Sequence, residues 1–278
     1  TFTGIWLFRR HKISSRMRLI TVSMIAIGTT LSALWIITAN GFMQHPVGAT
    51  WNGTKMVLDD FSKIVFNPYA WYMLVHNHLS AIVLSGFVVL AISSWQLLKG
   101  KEEDKELFKL SAKFGAWTIL ITSILIPISG NANLDFLNEV QPSKIAMIQG
   151  TVSGGLETVV KIAFGIMVSL GTIFVAFGLY TVVFFKKYVV SKTLQKLYIY
   201  LVPLPYIAIM TGWMVTEMGR QPWIIYGIME VSEGISDVPV SQIWFSVISI
   251  TIFYAILFVM DYILTMTRIK NGIDHSSG

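Results

Sequence analysis

The sequence predicts an all-α fold: a polytopic bundle of membrane-crossing helices, read as one domain over residues 1–278. Three observations predict it. The chain is 54% hydrophobic and only 13% charged, about half the roughly one-quarter charge that a water-covered domain carries. Its apolar residues fall in runs near the roughly 20 residues that a helix needs to cross hydrocarbon. Its basic residues collect in alternate connections between those runs.

The chain opens on Thr1-Phe2-Thr3-Gly4-Ile5-Trp6-Leu7-Phe8, apolar but too short to cross. With no initiator Met, residues 1–8 read as the second half of a span that starts upstream, and the chain as a fragment lacking its N-terminal helices. Six full spans follow at about 19–41, 74–98, 114–130, 157–185, 197–218 and 241–267. The span 114–130 is near the lower length limit, and 157–185 is long enough to tilt or project. None alternates like a barrel strand. Lipid leaves backbone groups no other way to pair, so each run is read as a helix.

Charge provides an independent check on these spans. Arg9, Arg10, Lys12, Arg16 and Arg18 precede the first full span. Lys99, Lys101, Lys105, Lys109 and Lys113 lie between the second and third. Lys186, Lys187, Lys192 and Lys196 follow the fourth, and Arg268 and Lys270 follow the last. These 16 of the 21 basic residues share one side, which the positive-inside rule places in the cytoplasm. Lys55, Lys63, Lys144, Lys161 and Arg220 share the other. The outer segments, about 42–73, 131–156 and 219–240, carry Pro46, Pro68, Pro142, Pro222 and Pro239 and read as caps with short turns.

Composition also excludes several classes. With no cysteine there is no disulfide framework, thiolate zinc site, iron–sulfur cluster or covalently attached haem. The net charge of +6 sits at helix ends rather than on one face, so nucleic acid is not the partner; the lipid bilayer is. No signal peptide is visible.

Polar or ligating residues near a span are expensive and therefore mark functional candidates. His76 and His78 stand at the outer start of the span 74–98. Imidazole is a common axial ligand of haem iron, though an interfacial histidine also bonds water or headgroups. Residues i and i+2 point to different sides of a helix, so at most one of the two faces the bundle. Met167 lies about ten residues into its span; a lone Met is ordinary packing, whereas a His and Met pair makes a six-coordinate electron-transferring haem. Glu217 ends the span 197–218, with Trp213 before it and Arg220 three residues on. That trio reads either as an interfacial ion pair with belt tryptophans or as a carboxylate facing iron. Asn40-Gly41-Phe42-Met43-Gln44-His45-Pro46-Val47-Gly48 offers polar groups at the same face, or a plain helix-ending turn. Four such clusters from four helices at one depth suggest a shared site.

At this point the residues resemble a family. Glu217 followed by Gly219-Arg220-Gln221-Pro222-Trp223 is similar to a signature of subunit I of cytochrome bd-type quinol oxidases. So are Leu31-Ser32-Ala33-Leu34-Trp35-Ile36 with the Asn40–Gly48 block, Val75-His76, Trp95-Gln96-Leu97-Leu98-Lys99-Gly100, and Phe164-Gly165-Ile166-Met167-Val168, all in the family's order. The resemblance implies that His76 and Met167 ligate a low-spin haem b and that Glu217 ligates a high-spin haem b. Trp213 would sit among the haems, Arg220 near their propionates and Asn40 in the same cofactor-binding group. The family oxidises a membrane quinol at the outer face and reduces dioxygen to water at haem d, generating a membrane potential. It works with a second subunit, subunit II, and in some cases a small single-span subunit, in the prokaryotic cytoplasmic membrane.

The sequence departs from the family's pattern in three places. The haem d histidine and two acidic residues of the proton path would lie upstream of Thr1, so this fragment alone is not expected to turn over. The quinol loop is shortened to the region 131–156: its Lys is kept as Lys144, but its Glu is Gln149, and these two are the quinol candidates. The Arg commonly two residues before the ligand Met is Gly165. These departures keep a second reading open, a bd-like haem protein with a donor other than quinol. A third, a cofactor-free transporter, would use the same polar cluster for a substrate or ion.

Overall fold

A computed structural model describes residues 1–9, 12–152 and 154–272; Arg10 of the first basic connection lies outside them. A short helix α1 (Phe2–Arg9) precedes α2 (Ser15–Gln44), which Ser14 caps by accepting from the Met17 N–H. A small antiparallel hairpin, β1 (Ala49–Trp51) with β2 (Met56–Leu58), then leads into α3 (Phe61–Val65). The helix α4 (Pro68–Lys99) starts where Asn67 caps it and Pro68 fills the first position, where a missing N–H costs nothing. After it come α5 (Lys105–Val140), α6 (Pro142–Gln149), α7 (Gly155–Val183), α8 (Phe185–Val190), α9 (Lys192–Tyr200) and α10 (Pro203–Met218). A second hairpin, β3 (Trp223–Ile225) with β4 (Met229–Glu230), precedes α11 (Val240–Asn271).

Among the described residues, six helical stretches are long and apolar enough to cross a membrane, one for each full span expected, and the fold is all-α apart from the two hairpins. Three boundaries differ. The span expected at 114–130 is part of a helix reaching Val140, so residues 131–140 are helix and not cap. Hydropathy falls at Asn131, Asn133 and Asp135, but a helix needs only its backbone bonds, and this one runs until Gln141, the residue that Pro142 disfavours from helix. Residues 68–73, expected in the preceding cap, likewise belong to α4. The span 197–218 is not one helix: α9 ends at Tyr200 and α10 restarts at Pro203, because prolines at 203 and 205 each lack a backbone donor.

Helix pairing follows the small residues, as it does where lipid offers no hydrophobic drive. A Cβ on Gly86 of α4 would lie 2.8 Å from the Ile119 side chain of α5, and one on Gly178 of α7 would lie 2.8 Å from the Leu120 backbone of α5. Around these approaches Val83, Phe87, Leu90, Ile119 and Phe174 form a buried core, extended by Tyr188 and Tyr198. Tyr188 shares a 2.7 Å hydrogen bond with Ser94, and Tyr198 bonds Thr181. By contrast α11 has no buried residue and meets α4 through the Gln96 amide, which donates to the Ile269 carbonyl.

Candidate functional site

The sequence candidates gather at one end of the bundle. His76 lies two turns into α4, and its Nδ1 is 3.1 Å from the Ser129 hydroxyl of α5. Ser129 in turn donates to the Ile126 carbonyl at 2.9 Å. A Cβ on Gly130 would come within 3.3 Å of the His76 ring, so this glycine lets the imidazole lie close against α5. His78 turns elsewhere, to the Leu74 carbonyl at 3.1 Å. As the i, i+2 argument required, only His76 faces the cavity described next.

That cavity has a volume of about 730 Å³ and is bounded by α4, α5, α6, α7 and α10. His76, Met167 and Trp213 line it, as do Tyr69 and Lys144. Met167 approaches α10 at a glycine: its sulfur would be 3.0 Å from a Cβ on Gly212. Most of the lining is apolar, the composition expected where a large ligand is enclosed and a few polar groups orient it.

Beside the cavity lies a charged cluster. Glu217 sits in the last turn of α10, at the negative end of the helix dipole, where a carboxylate is a cost. Two neighbours offset it. The Asn40 amide donates to one carboxylate oxygen at 2.6 Å, and Arg220 donates to the other at 2.7 Å. Arg220 is 6% exposed, yet its Nε and one terminal nitrogen have no partner among the described residues. Lys144 is buried as well; it donates to the Gln44 side chain at 2.6 Å and to the Thr216 carbonyl at 3.2 Å. Gln44 also donates to that carbonyl, at 3.1 Å, so side chains satisfy a helix-end acceptor of α10. Gln141 completes the network by donating to Gln44. Burial, reinforced by Arg220 and opposed by Glu217, lowers the Lys144 ammonium from its ordinary range to about 7.

Haem fits these residues on three counts. A cavity of porphyrin scale is lined by one imidazole and one thioether from different helices. The Ser129 contact engages Nδ1 of His76, the ring nitrogen on the α5 side. Two buried guanidinium nitrogens of Arg220 lack an anion, and haem carries carboxylates. Among the described residues no three His, Cys, Asp or Glu side chains group to hold a bare ion; a porphyrin supplies most of the iron's ligands itself and asks the protein for one or two.

Of the sequence candidates, the structure brings His76, Met167, Trp213 and Lys144 to one cavity, and Asn40, Glu217 and Arg220 to the adjoining cluster. Gln149 is not among them; it is exposed at the end of α6. Sequence reasoning did not single out Ser129, Gly130, Gly212, Gln44, Gln141 or Thr216. Gln44 lies inside the 40–48 segment, but no spacing rule marks the others.

Comparison with known proteins bears on the fold and the family. Residues 1–160 and 155–273 match the family described as cytochrome bd terminal oxidase subunit I. Cytochrome bd ubiquinol oxidase subunit 1 of Bacillus subtilis (strain 168) is 27% identical over 99% of this chain and 72% of its own length. Cytochrome bd-II ubiquinol oxidase subunit 1 of Escherichia coli (strain K12) is 34% identical over 54% of this chain, which is 29% of its length. The bd oxidase structure from Geobacillus thermodenitrificans superposes with a TM-score of 0.78 at 22% identity, covering 96% of this chain and 73% of that one, and so shares the fold. The chain therefore belongs to the cytochrome bd terminal oxidase subunit I family.

Proposed function

We propose that this chain is the haem-holding subunit of a quinol-oxidising, oxygen-reducing membrane complex, with His76 and Met167 as the axial pair of a low-spin haem b. The observation that carries this reading is the meeting of those two side chains in one cavity, from α4 and α7. Bound haem supplies one-electron transfer there and oxygen chemistry at the terminal centre. The residues do the rest. His76 presents Nε2 while α5 holds its other face. Glu217, steadied by Asn40 and Arg220, is the carboxylate ligand of the high-spin haem b. Arg220 would offer its unpaired nitrogens to a propionate, and Trp213 would pack against the group held in the cavity it lines. Lys144 is the residue of α6 that reaches the donor side. The face carrying the site is the outer one, with the basic connections cytoplasmic, and subunit II, with or without a small single-span subunit, completes the assembly.

A second reading, an electron donor other than quinol, is favoured by one observation. Gln149 stands away from the cavity, and the two family matches meet at residues 155–160, next to the shortened 131–156 region. One experiment separates these readings. The complex is purified with its partner, and reduced-minus-oxidised spectra are recorded with a quinol and then with dithionite. Low-spin haem reduced by quinol supports the first reading. Haem reduced only by dithionite supports the second. A His76→Ala or Met167→Ala variant with an unchanged low-spin band refutes the axial assignment.

A further inference from the structure

We infer that Ser129 is a positioning residue for His76: it accepts the Nδ1 proton, fixes the tautomer that leaves Nε2 free, and tunes the electron density of the ligand. The inference rests on the axial role proposed for His76. Its own basis is the local bonding of α5. A serine hydroxyl has one proton. Here the Ile126 carbonyl, 2.9 Å away, can only accept, so that proton is given to it. The serine oxygen then faces Nδ1 at 3.1 Å as an acceptor, and Nδ1 must carry hydrogen. A neutral imidazole with hydrogen on Nδ1 has its lone pair on Nε2.

The surroundings of α5 keep this arrangement in place. Gly130, next to Ser129, leaves room for the ring edge, which an added Cβ would crowd at 3.3 Å. Pro127 lies inside α5 one residue beyond Ile126; it removes one backbone donor and marks the turn where helix regularity is relaxed. Ligating histidines characteristically give their second N–H to an oxygen acceptor, which orients the ring and raises its basicity. A hydroxyl that already donates elsewhere performs this task without a charge, which suits a position inside a membrane span.

The electronic consequence has a definite sign. Pulling on the Nδ1 proton enriches Nε2 and favours the oxidised, more electron-demanding iron. Removing the hydroxyl should therefore raise the midpoint potential of the low-spin haem. In the complete complex, Ser129→Ala is expected to retain haem and to shift the reduction equilibrium about tenfold toward the reduced form, which is about 59 mV for one electron. Ser129→Thr, which keeps the hydroxyl, is expected to restore the wild-type potential and the electron paramagnetic resonance signal of the ferric haem. Haem loss in Ser129→Ala that Ser129→Thr repairs also supports the inference. A wild-type potential and signal in Ser129→Ala overturn it, as does a shift that Ser129→Thr fails to repair. Failure of the underlying reading looks different: His76→Ala would then keep the low-spin haem unchanged.

Discussion

Replacing Gly178 with alanine tests how tightly the spacing of α5 and α7 holds the cavity together. The new Cβ would lie 2.8 Å from both Cα and N of Leu120 and 3.1 Å from its Cβ. Unstrained carbon contacts fall at about 3.5–4.0 Å, so α7 must move away from α5 by about 1 Å. The obstructing atoms are backbone, and no rotamer change relieves the contact. Overpacking of this kind costs about 1–3 kcal/mol. The displacement is carried along α7 to Met167 and away from α5, so the low-spin absorption band should weaken together with stability. Gly165→Ala is the internal control on the same helix: nothing lies within 4 Å of its added Cβ, and helix propensity predicts a gain of up to about 1 kcal/mol. The assay is reversible unfolding in mixed micelles of increasing denaturing-detergent fraction, followed by circular dichroism and by the haem band. If Gly178→Ala and Gly165→Ala unfold alike, the close approach of α5 and α7 does not set the architecture.

Three further outcomes are expected. Lys144 has a folded pKa of about 7 against about 10.4 for a free lysine; the unfolded chain therefore binds more protons between those values, and stability should rise with pH from about 7 to about 10 and stay flat below. Unfolding measured from pH 6 to 10 should lose a slope worth at most a few kcal/mol in Lys144→Met. Glu217→Gln leaves the buried Arg220 without its counter-charge and should destabilise the chain by about 1–3 kcal/mol, fewer than a fully buried pair because the carboxylate side chain is 40% exposed; haem counted per chain by pyridine haemochrome should fall at the same time. Tyr188→Phe and Ser94→Ala each remove one side of a buried 2.7 Å hydrogen bond. Each should cost about 1 kcal/mol, and the double variant less than the sum, in an unfolding cycle.

Much of the architecture was legible because solvent dictates it. Six apolar runs gave six crossing stretches among the described residues, one of them broken between α9 and α10, and the positions of Lys and Arg agreed with them. What hydropathy could not see was where a helix stops once it leaves the apolar layer. The Asn131–Val140 extension of α5 carries polar side chains, and its end is set by Pro142 rather than by composition. The break between α9 and α10 was visible in Pro203 and Pro205 but was overridden by the apolar residues around them. At the site, His76, Glu217 and Arg220 could be named because each is costly near lipid, whereas Met167 stood out only through the family resemblance. Ser129 and Gly130 could not be named, since their roles depend on which face of α5 meets α4, a packing fact that a single sequence does not encode. Gln149 was named with Lys144 only through the family resemblance, and the end of α6 leaves its side chain exposed.

The 36 residues of α5 span roughly 54 Å at the usual rise per residue, against roughly 30 Å of hydrocarbon. Even at a tilt of about 40°, the upper end of what helices adopt, it would still reach roughly 41 Å along the bilayer normal. The helix is thus a mast that must stand clear of the oily layer, and α6 is rigged to its top. Lys144, Gln141 and Gln44 cluster beyond that end of α5, while His76 is set against the same mast lower down, at Ser129. One helix thus sets the offset between the two along its axis, and lengthening or shortening it by a single turn, roughly 5.4 Å, would change that offset without altering a residue of either site.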